Sequence, residues 1–276
     1  METHFKGWAM PGVIPPGARL TPEVAADETL DALSGHFRIF QLRDGYRFST
    51  DDVLTAWYGT TWVPSPARVL DLGSGIGSVG MMAAWRLPGA HFVTIEAQEE
   101  SVRLGKKSAA YNGLIDRCEI RHADFRSEGA LGRDEQFDLI LGTPPYFPVG
   151  AGIEGDHPQK VACRFELRGD INDYAGVAAK HLAPGGLFAC VFPDEQRGRV
   201  ERAAADASVT IVRRRPVIFR EGDRPLIDLF AMMCAADLPS HMRDRTWTEP
   251  ALVIRCADGS IHPEYAAVKL AVGFPP

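Results

Sequence analysis

A glycine-rich turn between a buried strand and a helix constrains the fold of this 276-residue chain more than any other feature. The run VLDLGSGIG, residues 69–77, continues a short apolar segment typical of a strand buried on both faces. Glycines in such a turn can adopt positive φ and let the backbone approach a ligand. The G-x-G-x-G spacing differs from the dinucleotide G-x-G-x-x-G pattern, and Asp71 would lie close to any pyrophosphate. The turn therefore predicts a ligand site that does not favour NAD.

Strands and helices alternate from this turn onward, which favours a parallel sheet covered by helices. The predicted strands are 67–73, 91–96, 118–124, 136–142 and 187–193, and the predicted helices include 78–87, 98–113, 171–182 and 195–206. Two further strands, 209–219 and 225–234, follow each other without a helix and are expected to form an antiparallel hairpin at the sheet edge. The predicted fold class is α/β, with a Rossmann-like, seven-stranded, mostly parallel sheet and helices on both faces.

The first part of the chain is less regular. The spacing of residues 21–35 predicts a helix. Residues 37–42 alternate as in a half-buried strand, and residues 53–62 predict a helix capped by Ser49 or Asp51. We expect a single domain, in which residues 1–44 form a lead-in and strand, 45–238 a catalytic core and 239–276 a tail.

Acidic residues end three successive predicted strands. Asp71 ends the first, Glu96 the second, and Asp124 with Phe125 the third. A carboxylate after the second strand can accept both hydroxyls of a ribose. Asp124 can accept an amino hydrogen of adenine, while the Phe125 ring covers the base. The alternative is that each acid is an ordinary helix cap.

Together with the glycine turn, these acids resemble the S-adenosylmethionine site of class I methyltransferases, and the resemblance covers about residues 45–235. It implies S-adenosyl-L-methionine as the cofactor. The residues expected to bind it here are Asp71, Gly73, Gly75, Gly77, Glu96, Asp124 and Phe125.

The segment GTPPYF, residues 142–147, follows the fourth predicted strand, where an α/β sheet places reacting groups. Two prolines remove two N–H donors, so carbonyl groups can accept from a substrate amine. The Tyr146 ring offers a stacking face, worth ~1–3 kcal/mol. A tight proline turn with a buried tyrosine is the alternative. A cytosine-5 methyltransferase is disfavoured because it needs a nucleophilic cysteine in this loop, and the nearest is Cys163.

This segment resembles the (N/D/S)-P-P-(Y/F) motif of amino-group methyltransferases. The resemblance implies that Thr143 and the Pro144 carbonyl accept from the amine, beside the cofactor, and that Tyr146 packs on the substrate. Threonine stands where asparagine is usual, and its hydroxyl is closest to the serine that the motif allows.

The segment QLRDGYRFSTDDVL, residues 41–54, resembles the opening of the bacterial tRNA adenine-N6 methyltransferases that act beside the anticodon of valine tRNA. In that family the segment closes over the methionine end of the cofactor, so Phe48 and Ser49 are expected there. The chain is also similar at residues 164–166 and 182–233. The expected substrate contacts are Pro145, Phe147 and Arg164.

The distribution of charge along the chain bears on whether the substrate is a nucleic acid. The formal net charge is −6, which does not suit a protein that coats nucleic acid. Residues 197–224 nevertheless hold eight arginines against four acids, so this stretch is +4 and the remainder −10. Arg213 and Arg215 are therefore candidates for phosphate contact, and local ion pairs are the alternative.

Other features narrow the function without deciding it. No apolar run approaches the ~18 residues of a membrane helix. The N-terminus lacks the apolar region of a secretory signal, and no cysteine or histidine cluster has metal-binding spacing. These features favour a cytoplasmic enzyme without a metal.

Three hypotheses remain. The first is a tRNA adenine-N6 methyltransferase. The second is an N-methyltransferase acting on a protein glutamine or a small molecule, although release-factor glutamine methyltransferases usually carry a helical N-terminal domain. The third is a cofactor-binding protein without activity, suggested by Thr143.

Overall fold

The computed structural model describes residues 23–150 and 157–274, together with the short antiparallel strands β1 (His4–Phe5) and β2 (Trp8–Ala9). Residues 1–3, 6–7 and 10–22 of the predicted lead-in lie outside the described residues. The other strands are β3 (Glu28–Ala32), β4 (Arg38–Leu42), β5 (Arg68–Leu72), β6 (His91–Glu96), β7 (Cys118–His122), β8 (Phe137–Gly142), β9 (Leu182–Pro193), β10 (Val209–Ile218), β11 (Ile227–Cys234), β12 (Trp247–Thr248) and β13 (Leu252–Val253).

Helices separate many of these strands. They are α1 (Thr50–Trp62), α2 (Ser78–Arg86), α3 (Glu99–Tyr111), α4 (Pro158–Arg164), α5 (Ile171–His181), α6 (Arg197–Asp206) and α7 (Pro263–Ala271). Helix α1 begins at a capping box in which Ser49 is the N-cap and Asp52 its partner, so Ser49 rather than Asp51 is the cap. Among the described helices, none is both long and apolar enough to cross a membrane.

The central sheet confirms the predicted fold class. Its strand order is β12-β10-β11-β9-β8-β5-β6-β7, with β13 also paired to β10. Strands β7, β6, β5, β8 and β9 are parallel, whereas β11 runs antiparallel to both β9 and β10. Seven longer strands thus form the predicted sheet, and β12 and β13 add two residues each beside β10.

The register of the sheet determines where the site forms. Leu72 at the end of β5 pairs with Ile95 in β6 and with Gly142 in β8. Chain order reverses at β5, so the connections after β5 and β8 leave the sheet in different directions and open a crevice. The residues that follow these strands therefore meet at one place.

A hydrophobic cluster packs against each face of the sheet. One cluster contains side chains of α1, α2 and α7, and the other contains side chains of α5 and α6. Alternate residues of β5 serve opposite clusters, since Val69 belongs to the first and Leu70 to the second. This confirms that the strand is buried on both faces.

The helix prediction for residues 21–35 was wrong. Residues 28–32 form β3, which pairs antiparallel with β4 from Glu28↔Leu42 to Ala32↔Arg38. Glu28 is fully buried and forms ion pairs with Arg103 and Lys107 of α3, a contact that no local pattern reveals.

Strand β4 is also buried on both faces rather than half-buried. The Gln41 side chain is enclosed, where it accepts from the Phe48 backbone N–H at 2.9 Å and donates to Asp31 at 2.9 Å. These hydrogen bonds explain how a polar residue is accommodated inside. Helix α4 was not predicted from the sequence.

Candidate functional site

A cavity of about 560 Å³ opens at the carboxyl ends of β5, β6 and β8. Most of the predicted site residues line it, including Ser49, Gly73, Gly75, Glu96, Asp124, Phe125, Arg164 and the segment Thr143–Phe147. Its volume lies within the range of ~300–1,000 Å³ that is typical of small-molecule sites.

The glycine turn adopts the backbone that its residues predict. Gly73, Gly75 and Gly77 all have positive φ, at +60°, +53° and +85°. A Cβ on Gly73 would come within 2.1 Å of the Tyr174 hydroxyl, whereas one on Gly75 would point into open space. Gly73 and Gly75 line the cavity, and Gly77 lies behind them as the N-cap of α2. The turn thus exposes backbone, rather than side chains, to a ligand.

Asp71 lies behind the turn and is not among the residues that line the cavity. Its side chain is only 1% exposed, and its Oδ2 accepts from the Gly80 backbone N–H of α2 at 2.9 Å. Burial raises the pKa of this carboxyl to about 8. In this position Asp71 joins the end of β5 to the helix that follows. Its predicted role in cofactor binding would therefore be indirect, by holding the glycine turn in place.

Glu96 presents a buried carboxylate to the cavity. Its Oε2 accepts from the Gly75 N–H at 2.9 Å, and its Oε1 accepts from the Gln98 N–H at 2.6 Å. These bonds fix the carboxylate and leave lone pairs for a ligand. Burial raises the pKa of Glu96, since only 7% of the residue is exposed.

Asp124 and Phe125 form the next part of the wall. Asp124 forms an ion pair with Arg126 at 2.6 Å, and this hydrogen-bonded pairing lowers the pKa of the carboxyl. Phe125 is buried edge-on against Tyr174, with 4.7 Å between the ring centroids. Tyr174, on α5, thus supports both this ring and the glycine turn, and the sequence did not single it out.

The segment Thr143–Phe147 lines the same cavity as these acids. The Tyr146 hydroxyl donates to Asp51 Oδ2 at 2.6 Å, and its ring packs edge-on against Phe192 at 5.6 Å. The Gln196 side chain donates to the Tyr146 carbonyl at 3.2 Å. The tyrosine is therefore held at its backbone, ring and hydroxyl.

Two acids at the start of α1, Asp51 and Asp52, line the cavity together with Gly73, Glu96, Thr143 and Tyr146, and we call these six residues the floor. Burial raises the pKa of Asp51 to about 6. Burial likewise raises the pKa of Asp52, whose side chain accepts from the Ser78 hydroxyl at 2.8 Å and from the Tyr46 hydroxyl at 3.2 Å. The sequence indicated Asp51 only as a possible cap and did not single out Asp52. Their adjacency in a segment that resembles a cofactor lid was the available signal.

The segment around Tyr46 reaches the cavity through contacts that are distant in sequence. The Tyr46 backbone N–H donates to the buried Gln159 side chain of α4 at 2.8 Å. Ser49 lines the cavity, whereas Phe48 does not and instead packs near Phe274, 6.0 Å between ring centroids. Of the two residues in segment 41–54 that were expected at the cofactor, Ser49 therefore lies at the cavity and Phe48 lies away from it.

The arginines of β10 lie elsewhere and are already engaged. Arg213 and Arg215 share one face, where both approach Glu249, and Arg215 also pairs with Glu264. Arg214 faces the other way and pairs with Asp228 and Asp194 at 2.7 and 2.9 Å. The predicted alternation of faces is confirmed. Neither Arg213 nor Arg215 lines the cavity, and these contacts favour the ion-pair alternative over phosphate contact.

Within residues 23–150 and 157–274, no group of three or more His, Cys, Asp or Glu side chains is placed to hold a metal ion. Cys163 accepts a weak hydrogen bond from Gln98 at 3.5 Å, and burial raises the pKa of its thiol to about 12. Such a thiol is a poor nucleophile at neutral pH.

Comparison with known proteins agrees with this geometry. A family model described as the methyltransferase small domain matches residues 60–162. The chain is 28% identical to a tRNA1(Val) (adenine(37)-N6)-methyltransferase of Bacteroides thetaiotaomicron, over 68% of this chain and 77% of that protein. It is also 28% identical to the enzyme of that name from Porphyromonas gingivalis, over 83% and 89%.

Among solved structures, the chain is similar to one from Agrobacterium tumefaciens that is described as a predicted O-methyltransferase. The TM-score is 0.61 and the identity 18%, over 82% of this chain and 98% of that one. This likeness concerns the fold alone.

Proposed function

Since this chain is a class I S-adenosylmethionine-dependent methyltransferase, we propose that it methylates the exocyclic N6 amine of an adenine in tRNA, in the cytoplasm. The observation that carries the proposal is that Thr143–Phe147 lines the same cavity as Glu96 and Asp124. An amine-binding loop and a nucleoside-binding wall thus share one cavity. The names of the similar proteins support adenine in tRNA as the substrate.

The cavity fits the cofactor on structural grounds. The carboxylate of Glu96 is fixed by two backbone donors, which orients it to accept from ribose hydroxyls. Open space beside Gly75 leaves room for a ligand against bare backbone. Acidic side chains at Asp51, Asp52 and Asp124 also line the cavity, and they would attract a cationic sulfonium.

The proposed reaction is a direct displacement. The bound cofactor supplies a methyl group on a sulfonium. The Thr143 hydroxyl and the Pro144 carbonyl accept the amine hydrogens, so the nitrogen lone pair points at that methyl. The N–C bond forms as the S–C bond breaks, and the amine then loses one proton to water. Most of the acceleration comes from proximity and alignment.

Tyr146 contributes a fixed surface in this mechanism. Its ring is held from behind by Phe192 and its hydroxyl by Asp51, so one face can stack on the target base without a loss of side-chain freedom. Stacking of this kind contributes ~1–3 kcal/mol per base. Tyr146 therefore positions the base rather than transferring a proton.

A labelling experiment tests the proposal. The protein is incubated with methyl-labelled cofactor and either transcribed tRNA, total tRNA or a tRNA-free extract, and labelled tRNA is digested to nucleosides. We expect label in N6-methyladenosine. Label that appears only in the tRNA-free extract would contradict the proposal and favour a protein glutamine or small-molecule amine. Cofactor binding with no label in any sample would indicate a protein without activity.

Matched variants of Thr143 test how the amine is held. Thr143→Val keeps the shape of the side chain but removes the hydroxyl, and we expect kcat to fall about tenfold, the effect of one lost hydrogen bond of ~1–1.5 kcal/mol. Thr143→Ser keeps the hydroxyl and is expected to retain activity within about threefold. Equal activity in both variants would show that the hydroxyl does not hold the amine.

A further inference from the structure

Three cationic side chains surround the cavity mouth on one continuous segment. Lys160 and Arg164 lie one helical turn apart on α4, and Arg168 follows in the loop after it. All three line the cavity and are exposed. Residues four apart on a helix lie on the same face, so Lys160 and Arg164 present their charges together.

These cations differ from the arginines of β10 in their ion pairs. No carboxylate in residues 23–150 or 157–274 lies within ion-pair distance of Lys160, Arg164 or Arg168. The arginines of β10, in contrast, each contact at least one acid. Arg168 nevertheless lies close enough to Glu96 and Asp124 to act on both carboxyls electrostatically. The positive charge most available to a partner from solution is therefore that of Lys160 and Arg164.

Exposed apolar side chains accompany the three cations. Phe147 is 38% exposed, Val149 60% and Leu167 45%. The Arg164 guanidinium lies 5.8 Å from the centre of the Phe147 ring. Together these six residues form a surface that we call the rim: Phe147, Val149, Lys160, Arg164, Leu167 and Arg168.

Backbone hydrogen bonds connect the rim to the segment Thr143–Phe147, which we call the reaction loop. The Phe147 N–H donates to the Arg164 carbonyl at 3.2 Å, and the Glu166 N–H donates to the Phe147 carbonyl at 2.9 Å. Phe147 directly follows Tyr146, so a nucleotide on the rim would neighbour the base held by Tyr146. The rim and the reaction loop thus form one continuous surface.

We propose that the rim binds unpaired RNA nucleotides flanking the methylated adenine, with phosphates on Lys160, Arg164 and Arg168 and one flanking base on Phe147. This inference rests on the proposed function. Alternating cations and aromatic rings are the features by which proteins bind single-stranded nucleic acid. An adenine must also be unpaired for its N6 amine to enter the cavity, and most sequence-specific RNA recognition takes place in single-stranded loops, where neighbouring bases are accessible.

The rim has a matched control in the same chain. Lys160→Gln, Arg164→Gln and Arg168→Gln together remove three charges from the rim. Lys180→Gln, Arg202→Gln and Arg224→Gln remove three exposed charges that do not line the cavity and have no carboxylate within ion-pair distance among the described residues. The two triple variants have the same net charge.

Binding to labelled stem-loop RNA is measured for wild type and both variants over a range of KCl concentrations, with a blunt RNA duplex and a polyglutamate peptide as competitors. We expect the rim variant to lose at least tenfold in affinity, and its salt slope to fall by about two, since each single-strand phosphate contact contributes ~0.7. The control variant should stay within about twofold of wild type, with its cofactor affinity unchanged.

Equal weakening in the two variants, or an unchanged salt slope in the rim variant, would overturn the proposal. Competition by duplex or polyglutamate as strong as that by the stem-loop would also overturn it, because the rim would then bind any polyanion. These measurements need no methyl transfer. A wild-type protein that binds RNA through the rim yet transfers no methyl would contradict the proposed function alone.

Discussion

The floor and the rim of the cavity carry charge in opposite ways. On the floor, Asp52 and Glu96 are 3% and 7% exposed, and hydroxyl or backbone donors hold their carboxylates in place. On the rim, Lys160, Arg164 and Arg168 are exposed, and no described carboxylate pairs with them. Fixed, buried groups suit a ligand of one shape, whereas exposed charges suit a flexible partner.

This difference has an energetic basis. Buried acceptors already in position need no reorganisation when a ligand binds, so they favour alignment. Exposed cations interact through water, and salt screens them over about 10 Å at 0.1 M ionic strength. The floor should therefore control the chemistry and cofactor affinity, and the rim the salt-dependent affinity for substrate.

The largest expected effect follows from Tyr146→Ala. Loss of the ring removes the surface on which the base stacks, and we expect kcat to fall more than about 100-fold, or ~2.7 kcal/mol. Cofactor affinity, measured by calorimetry, should remain within about threefold, because Glu96 is unchanged, whereas RNA affinity should fall by the ~1–3 kcal/mol of one lost stacking contact. Equal losses of rate and cofactor affinity would contradict the assigned role. Tyr146→Phe serves as the control, since it keeps the ring and loses only the hydrogen bond to Asp51.

Glu96→Gln tests the floor from the cofactor side. The substitution keeps the size of the side chain but replaces a charged acceptor, whose hydrogen bonds contribute ~1.5–3 kcal/mol each. We therefore expect calorimetry to show the dissociation constant of the cofactor rising about 10- to 100-fold. RNA affinity in the absence of cofactor should not change. A parallel loss of RNA affinity would indicate that floor and rim are not separate.

Asp51 provides a test of pH dependence. Burial raises its pKa to about 6, so the folded protein retains a proton that the unfolded chain releases near pH 4. Stability contributed by this group is therefore lost as pH rises from about 4 to about 6, with a slope of up to ~1.4 kcal/mol per pH unit. Asp51→Asn should reduce the pH dependence of the free energy of unfolding, measured in urea, across this pH range. An unchanged slope would show that Asp51 is not the titrating group.

Phe147→Ala is expected to have a smaller effect that is confined to the rim. Loss of one stacked base costs ~1–3 kcal/mol, so the KM for tRNA should rise about tenfold or more, while kcat at saturating tRNA changes less than threefold. Val149→Ala, which removes an exposed side chain without a ring, is the control. A fall in kcat with unchanged KM would place Phe147 on the floor rather than on the rim.

The sequence predicted the floor better than the rim. Glycines and acids that end strands occur at positions set by local pattern, and the parallel sheet then brings Gly73, Glu96 and Thr143 together. The support of Tyr146 by Asp51 joins residues 95 apart in sequence, and that of Tyr46 by Gln159 joins residues 113 apart. Such contacts depend on the packing of α1 and α4, which periodicity does not reveal.

The excess of arginines in residues 197–224 pointed to the wrong region for phosphate contact, for a related reason. Arg213, Arg214 and Arg215 stand out in the sequence because they are adjacent, but their counterions Asp228 and Glu249 lie on other elements. Lys160, Arg164 and Arg168 are spaced four apart and do not stand out. Their availability depends on which acids lie nearby in the fold, and composition does not record this.

Arg213→Gln, the smallest of the expected effects, tests this distinction directly. Arg213 lies 3.6 Å from Glu249 and 3.5 Å from the centre of the Trp62 ring, and it is 33% exposed. Since partly exposed pairs of these kinds contribute ~0.5–1 kcal/mol, the free energy of unfolding should fall by no more than about that amount.

The same substitution should leave the KM for tRNA and the salt slope of RNA binding unchanged, because Arg213 is occupied by Glu249 and Trp62. Arg164→Gln removes an identical charge and should reduce the salt slope by about 0.7, the contribution of one single-strand phosphate contact. The reverse result, with RNA binding sensitive to Arg213 and not to Arg164, would mean that the ion pairs of β10 open to admit phosphate. In that case the presence or absence of ion pairs would not explain why the arginines of β10 and the cations of the rim differ in RNA binding.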